Sequence, residues 1–116
     1  MSQGHFGAPV VTLTPAPTLD RTYFVNHLHN GGVNRAEDVR EELAGKGINV
    51  SRGLTLANIH APGVVPIGNA DVSVLERTGS SFLVPMWVEG SLRVSTTIVD
   101  KQGTTTKVNE SPRALS

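Results

Sequence analysis

The sequence predicts an α+β fold, in which an antiparallel β-meander of about four to six strands carries one main α-helix packed on the sheet and an extended N-terminal arm. Three observations predict this fold. The second half of the chain alternates apolar and polar residues over short runs that turn residues separate. A helix N-terminal signal stands near residue 34. The first 18 residues hold three of the seven prolines and almost no charge.

Length and composition predict the domain organisation. A chain of 116 residues, 38% of them hydrophobic, fits one globular domain with a modest core. We divide it into an extended Pro-rich arm (1–18), a single α+β domain (19–108) and a C-terminal tail (109–116). No apolar run is long enough to span a bilayer, and the N-terminus lacks the basic region and apolar core of a signal peptide. We therefore expect a virion or cytoplasmic location and no membrane partner.

The first elements are extended. Proline favours extended backbone, so the arm should be β or polyproline-like, with Val10 to Leu13 as its strand-competent stretch. The segment from Arg21 to His29 is rich in aromatic and β-branched residues and ends at Asn30-Gly31-Gly32, which predicts a strand. A helix that starts after Thr18 remains an alternative for this segment.

The main helix is predicted from Asn34 onward. Asn34 is a good N-cap residue, and Glu37 three residues later completes the Asn form of a capping box. A helical stripe of apolar residues follows at Ala36, Val39 and Leu43. Gly45 and Gly47 should then end the helix.

The rest of the chain reads as strands. The predicted strands are Ile48 to Ser51, Leu54 to Ile59, Asp71 to Arg77, Ser81 to Val88, Leu92 to Val99 and Thr104 to Val108. The last four should form the antiparallel meander. The strand that ends at Val88 is apolar on both faces, so either both faces are covered or one face meets a partner. Pro85 places that strand at an edge or a bulge.

Composition and motifs argue against an enzyme. The chain has no cysteine, which excludes disulfides, thiolate zinc sites and cysteine catalysis. It contains no Walker loop, no dinucleotide-binding glycine motif and no Gly-x-Ser-x-Gly nucleophile turn. The paired carboxylates Glu37-Asp38 and Glu41-Glu42 fall on the predicted solvent face of the helix, where their pKa values have no reason to shift. We expect neither catalysis nor a cofactor.

A helix-turn-helix DNA-binding protein that uses residues 34–59 is the first alternative. The run Lys46-Gly47-Ile48-Asn49-Val50, followed by Ser51, resembles the turn before the recognition helix of arginine-repressor-like winged helices. The resemblance implies nucleic-acid contacts from Arg52 and Asn58. Ten basic residues against ten acidic residues give no net charge, which does not support binding to phosphates.

A small metal-dependent or ligand-binding domain is the second alternative. His27 and His29 would point to the same face of a strand, and His60 could supply a third ligand. This spacing is unspecific, so these histidines are weak candidates and no metal site is predicted.

The function that we predict from the sequence is a non-enzymatic, self-assembling structural subunit of a virus or phage particle, such as a coat, decoration or connector protein. Its partners would be copies of itself or other particle subunits, and zero net charge would let copies pack without strong repulsion. The predicted interface residues are Val10, Val11, Leu13, Phe82, Val84, Met86 and Trp87.

Overall fold

The computed structural model describes residues 10–111, which form two β-sheets and two α-helices. The strands are β1 (Thr12–Leu13), β2 (Thr18–Phe24), β3 (Asp38–Ala44), β4 (Gly63–Gly68), β5 (Leu83–Val88), β6 (Arg93–Val99) and β7 (Thr105–Asn109). The helices are α1 (Lys46–Leu56) and α2 (Val72–Thr78), and a short 3-10 turn, Asn69–Asp71, leads into α2.

The first sheet is parallel and has the strand order β1-β4-β5. A helix precedes β4 and another precedes β5, as parallel neighbours require. Both connections cross the sheet in the same direction, so right-handed crossovers place α1 and α2 on the same face. On that face Ile48 of α1 and Val74 of α2 join Val65 and Ile67 of β4 in one buried cluster.

The second sheet has the order β3-β2-β6-β7, in which β2 runs parallel to β6 and antiparallel to β3. Its register separates two faces. The apolar face carries Leu19, Tyr23, Val39, Leu43, Val94, Ile98 and Val108, together with the charged pair Arg21 and Glu41. The polar face carries Thr18, Asp20, Thr22, Arg40, Glu42, Arg93, Ser95, Thr97, Lys107 and Asn109.

The core lies where the two sheets meet. Leu19 and Leu43, at the base of the second sheet, are buried together with the residues of β4, α1 and α2 named above. Leu92 completes the buried cluster just before β6. Farther out, the apolar face of the second sheet is left partly open, with Val39 and Val108 exposed to solvent.

The helix that we predicted from Asn34 is wrong, because this segment forms a loop and then β3. The Asn34 side chain accepts a hydrogen bond from the His29 amide at 2.7 Å and donates to the His29 carbonyl at 3.0 Å, so it closes the loop and does not cap a helix. The residues Val39, Glu41 and Leu43 also fit a strand period of two, and pairing with β2 selects that period.

Three of the predicted strands are also wrong. Ile48 to Ser51 and Leu54 to Ile59 lie mainly in α1, where Ile48 and Ser51, three residues apart, form the buried stripe. Asp71 to Arg77 lies mainly in α2. Short apolar runs do not distinguish a strand from a buried helix, and here packing against the parallel sheet decides.

Several predicted elements are confirmed. The two strands predicted from Leu92 and from Thr104 form β6 and β7, which pair as an antiparallel hairpin. Pro85 lies on β5, which is an edge strand in the described part of the chain. The meander is only partly correct, because β5 pairs in parallel with β4 in the other sheet. The α+β class holds in coarse form, with mixed sheets and two helices where we expected one.

The ends of the chain add little to the fold. The segment from Val10 to Leu13 contributes β1, which pairs with β4 of its own chain. The predicted division into arm, domain and tail stays a prediction, and residues 1–9 and 112–116 lie outside the described residues.

Candidate functional site at the junction of the two sheets

The first turn of α1 lies directly against the end of β1. A Cβ atom on Gly47 would stand 2.6 Å from the Thr14 Oγ1 and 2.8 Å from the Leu13 carbonyl oxygen, and one on Gly45 would overlap the Thr14 side chain. Glycine at both positions therefore permits this close approach. The glycines that we took for a helix end are the start of α1.

Hydrogen bonds fix the helix in this position. Thr14 is buried, and its Oγ1 accepts a hydrogen bond from the Ile48 amide at 2.9 Å, as an N-cap side chain would. One turn later, the Thr12 and Ser51 hydroxyls lie 2.5 Å apart. These two contacts hold the axis of α1 against β1.

The start of α1 is electrostatically positive. Gly45 supplies no side-chain cap, and the first turn contains no acidic residue. Lys46, which is exposed, adds a cation at the same place. Because Thr14 already bonds the Ile48 amide, the amides of Lys46 and Gly47 are the ones that face this end of the helix, and the helix dipole favours negative charge there.

The register places polar residues of the second sheet beside the residue that precedes Gly45. The register pairs Ala44, two residues before the first residue of α1, with Thr18, and Thr18 with Arg93. The Cβ atoms of such directly opposed residues lie about 5 Å apart. Asp20 is next on the same face, and its Oδ1 accepts a hydrogen bond from the Thr18 hydroxyl at 3.0 Å. A guanidinium, a hydroxyl and a carboxylate thus share the base of the polar face.

The loop before β6 is held firmly, which positions Arg93. The Asp71 carboxylate accepts a hydrogen bond from the Leu92 amide at 2.6 Å. A Cβ atom on Gly68 would overlap the Gly90 carbonyl, so the end of β4 and this loop are in close contact. The carboxyl ends of the parallel strands meet at this edge, where open α/β sheets bind their ligands.

A second charged cluster has a structural role that sequence reasoning missed. Glu41 on the apolar face accepts hydrogen bonds from Arg77 of α2 at 2.8 Å and from Arg21 at 2.9 Å. These bonds, from Arg77 and then Arg21, lower the pKa of the Glu41 carboxyl to about 2. The cluster ties α2 to the second sheet. No signal in the sequence joins residues 21, 41 and 77, because only the fold brings them together.

The predicted nucleic-acid residues do not form a binding surface. The first helix of the helix-turn-helix is absent, because those residues form β3, and this alternative is therefore wrong. Arg52 instead lies 2.8 Å from Glu42 and donates to the Leu43 carbonyl at 3.0 Å. Asn58 follows α1 with a positive φ of 63°.

The three histidines are not gathered. The rings of His27 and His29 lie 4.9 Å apart, edge to face, in the loop between β2 and β3. His60 lies in a different loop, before β4. Among residues 10–111, no group of three His, Cys, Asp or Glu side chains could hold a metal ion.

The predicted interface residues lie on or next to the parallel sheet. Phe82 packs against the core, whereas the others have exposed side chains. The exposed ones are Val10, Val11, Leu13, Val84, Met86 and Trp87. Their role as an interface stays a prediction.

Known proteins resemble this architecture. No protein-family model matches the chain. A curated 1-phosphofructokinase from Xanthomonas campestris is 41% identical over 64 residues, which make up 53% of this chain and 20% of that protein. The structure of phosphofructokinase-2 from Escherichia coli in complex with potassium matches 94% of this chain with a TM-score of 0.77 and 24% identity. Its complex with fructose-6-phosphate matches 93% with a TM-score of 0.71 and 20% identity. A tetrameric inhibited form of that enzyme has also been solved, and it matches with a TM-score of 0.76.

The class of fold follows from these likenesses. The two sheets and two helices have the architecture of part of a phosphofructokinase-type sugar kinase. The chain spans 37% of the length of the solved phosphofructokinase-2 chains and a fifth of the curated 1-phosphofructokinase.

The predicted function is therefore wrong. The similar proteins are kinases, which overturns both the virus or phage structural subunit and the non-enzymatic role that we predicted. A location in a virion and particle subunits as partners have no support. In the described part of the chain, no helix is long and apolar enough to cross a membrane.

The site was missed because its signal is short. The pattern that identifies the site is a strand followed by Gly45-Lys46-Gly47 and then by a helix. Glycines between a strand and a helix permit close contact with an anion. The sequence prediction places a helix before Gly45 and a strand after Gly47, which is the reverse of the order that this pattern needs.

Proposed function

We propose that the chain forms the part of a phosphofructokinase-like kinase that binds the phosphorylated sugar. One observation carries this proposal: the register pairs Arg93 with Thr18 and Thr18 with Ala44, which lies two residues before the positive start of α1. Because a shared fold does not by itself imply a shared activity, the proposal rests on this site as well as on the likeness to the kinases. The chain spans 37% of the length of the solved kinase chain, and the proposal concerns binding of the sugar phosphate alone.

Each side chain of the site has a chemical role in this proposal. The amides at the start of α1 and the Lys46 ammonium bind the phosphate of the sugar. Arg93 donates paired hydrogen bonds, since a guanidinium matches the geometry of a phosphate. Asp20 accepts hydrogen bonds from sugar hydroxyls, which a carboxylate does well.

Calorimetric titration of the chain with fructose 6-phosphate tests this function. We expect Arg93→Ala to weaken binding by about 10-fold or more, because a charge-assisted hydrogen bond contributes about 1.5–3 kcal/mol. Arg35→Ala, which removes an exposed arginine from the loop before β3, is the matched control and should leave the affinity unchanged. Equal affinity for unphosphorylated fructose, or equal loss in both variants, would contradict the proposal.

We also propose that the chain self-associates through the apolar face of the second sheet. Val39 is 46% exposed and Val108 is 61% exposed on this face, and the solved tetrameric form shows that a protein of this fold forms oligomers. Val39→Lys should therefore reduce the mass measured by light scattering. An unchanged mass would place any self-association elsewhere.

A further inference from the structure

The short helix α2 holds the second sheet at two points. Immediately before the helix, the Asp71 carboxylate accepts a hydrogen bond from the Leu92 amide at 2.6 Å. In its last turn, the Arg77 guanidinium donates to both carboxylate oxygens of Glu41, at 2.8 Å and 3.4 Å. One helix is therefore attached to β3 and to the residue that enters β6, the strands on either side of β2. We call α2 with these two contacts the brace.

Each contact of the brace adjoins one half of the candidate site. Leu92 immediately precedes Arg93, the guanidinium of the site. Glu41 lies on β3, the strand that leads into the start of α1. The Glu41 side chain is on the face of the second sheet opposite Thr18 and Asp20, so the brace holds both halves of the site from outside it.

The brace is built to transmit a displacement. The Glu41 side chain is only 18% exposed, and it accepts a second guanidinium, that of Arg21, at 2.9 Å. Between the two contacts, Val74 of α2 is buried in the core. Rigid helices joined to networks of hydrogen bonds and ion pairs carry coupling between separate places in a protein. A shift of Arg77 should therefore move Asp71, and with it the residue before Arg93.

We infer that Glu41 and Arg77 are positioning residues for the candidate site, which act through α2 on Arg93. The inference rests on the proposed function for the identity of the ligand, whereas the coupling between Glu41 and Leu92 does not depend on it. Coupling is reciprocal, so a ligand that binds Arg93 in the braced position also stabilises the contact between Arg77 and Glu41.

Amide hydrogen exchange of the ligand-free chain, measured by NMR, tests the coupling first. Glu41→Gln keeps the size of the side chain and removes its charge, which weakens the hydrogen bonds from Arg77 and Arg21. The Leu92 amide should then exchange about 5-fold faster or more, the lower end of ordinary coupling between sites. Glu76→Gln makes the same change of charge at an exposed position of α2, and as the matched control it should leave this exchange as in the wild type.

Calorimetric titration with fructose 6-phosphate then tests the effect on the site. Glu41→Gln should weaken binding by about 5-fold or more. The sign is informative, because loss of a negative charge would by itself favour an anion. Glu76→Gln should bind as tightly as the wild type. Asp71→Ala breaks the same brace, so adding it to Glu41→Gln should weaken binding no more than Asp71→Ala does alone.

Three results would overturn the inference. The first is unchanged exchange of the Leu92 amide in Glu41→Gln. The second is an equal acceleration at the Thr14 amide, which bonds the Val64 carbonyl in the other sheet and so reports a loss of stability of the whole chain. The third is an affinity for fructose 6-phosphate that Glu41→Gln leaves unchanged, or losses that multiply in the double variant.

Two further measurements keep these outcomes separate. Circular dichroism checks that Glu41→Gln is folded, and Arg77→Ala, which leaves Glu41 paired with Arg21, replaces it if it is not, with Glu76→Ala as its control. A wild-type chain that does not bind fructose 6-phosphate, but whose Leu92 amide responds to Glu41→Gln, would refute the proposed function and leave the coupling through α2 standing.

Discussion

Replacing Gly47 by alanine tests the contact between β1 and α1 on which the candidate site depends. The new Cβ would lie 2.8 Å from the Leu13 carbonyl oxygen, a backbone atom that cannot rotate away, and 2.6 Å from the Thr14 Oγ1. Relief of this overlap would move α1 away from β1 and lengthen the hydrogen bond between Thr14 and the Ile48 amide.

The magnitude follows from opposing effects. Alanine in place of glycine favours a helix by about 1 kcal/mol. Overpacking costs about 1–3 kcal/mol, and a buried hydroxyl with a weakened partner costs about 1–3 kcal/mol more. We therefore expect Gly47→Ala to lower the free energy of unfolding by roughly 1–5 kcal/mol. Gly53→Ala in the same helix is the control, because a Cβ there meets nothing within 4 Å, and it should raise stability by about 1 kcal/mol.

Urea unfolding followed by far-UV circular dichroism and by the fluorescence of Trp87 measures both changes. Opposite shifts of the midpoint in the two variants support the close contact. A Gly47→Ala variant as stable as Gly53→Ala would refute it, because helix propensity alone would then explain both.

Two further predictions concern the contacts around the site. The pKa of Glu41 is about 2 in the folded chain, against 4.5 for a free carboxyl. The unfolded chain therefore binds more protons between these two values. The stability that this carboxylate contributes should be present above pH 4.5 and should be lost as the pH falls towards 2. Urea midpoints measured across this range should fall more steeply for the wild type than for Glu41→Gln, and parallel curves would contradict the pKa. Asp71→Ala removes the acceptor of the Leu92 amide and should lower the free energy of unfolding by about 1–3 kcal/mol. Because it loosens the residue before Arg93, it should also weaken the binding of fructose 6-phosphate. Loss of stability with unchanged affinity would show that Asp71 does not position Arg93.

The sequence predicts the hairpin of β6 and β7 correctly because its information is local. Residues 94, 96 and 98 alternate with polar neighbours. Asp100 to Gly103 form a turn, in which the Asp100 carboxylate accepts hydrogen bonds from the amides of Gln102 and Thr104. A short-range pattern and a short-range contact therefore agree.

The first half of the chain is not predictable in this way because distant contacts decide it. Asn34 has the local signature of a helix cap, but its side chain accepts a hydrogen bond from the His29 amide instead. The strand β3 has a sequence that suits a helix, and pairing with β2 along its whole length overrides that preference. Gly45 and Gly47 end a helix by propensity, yet they begin one because Thr14 occupies the space that a side chain would fill.

The candidate site was missed for the same reason. Arg93 and Thr18 are 75 positions apart in the sequence and become neighbours through the parallel pairing of β2 and β6. An antiparallel meander, which is what the turn residues predict, would not have joined them. The polar residues were visible in the sequence, but the strand pairing that turns them into a site was not.

The central claim is that a phosphorylated sugar binds at the start of α1 beside Arg93. A heteronuclear NMR titration of the labelled chain with fructose 6-phosphate tests it most directly. We predict saturable shifts of the amides of Lys46, Gly47 and Arg93, with little change at Val39 or Val108 on the far part of the second sheet. Shifts that are absent at millimolar sugar phosphate, or that occur only away from the start of α1, would contradict the claim.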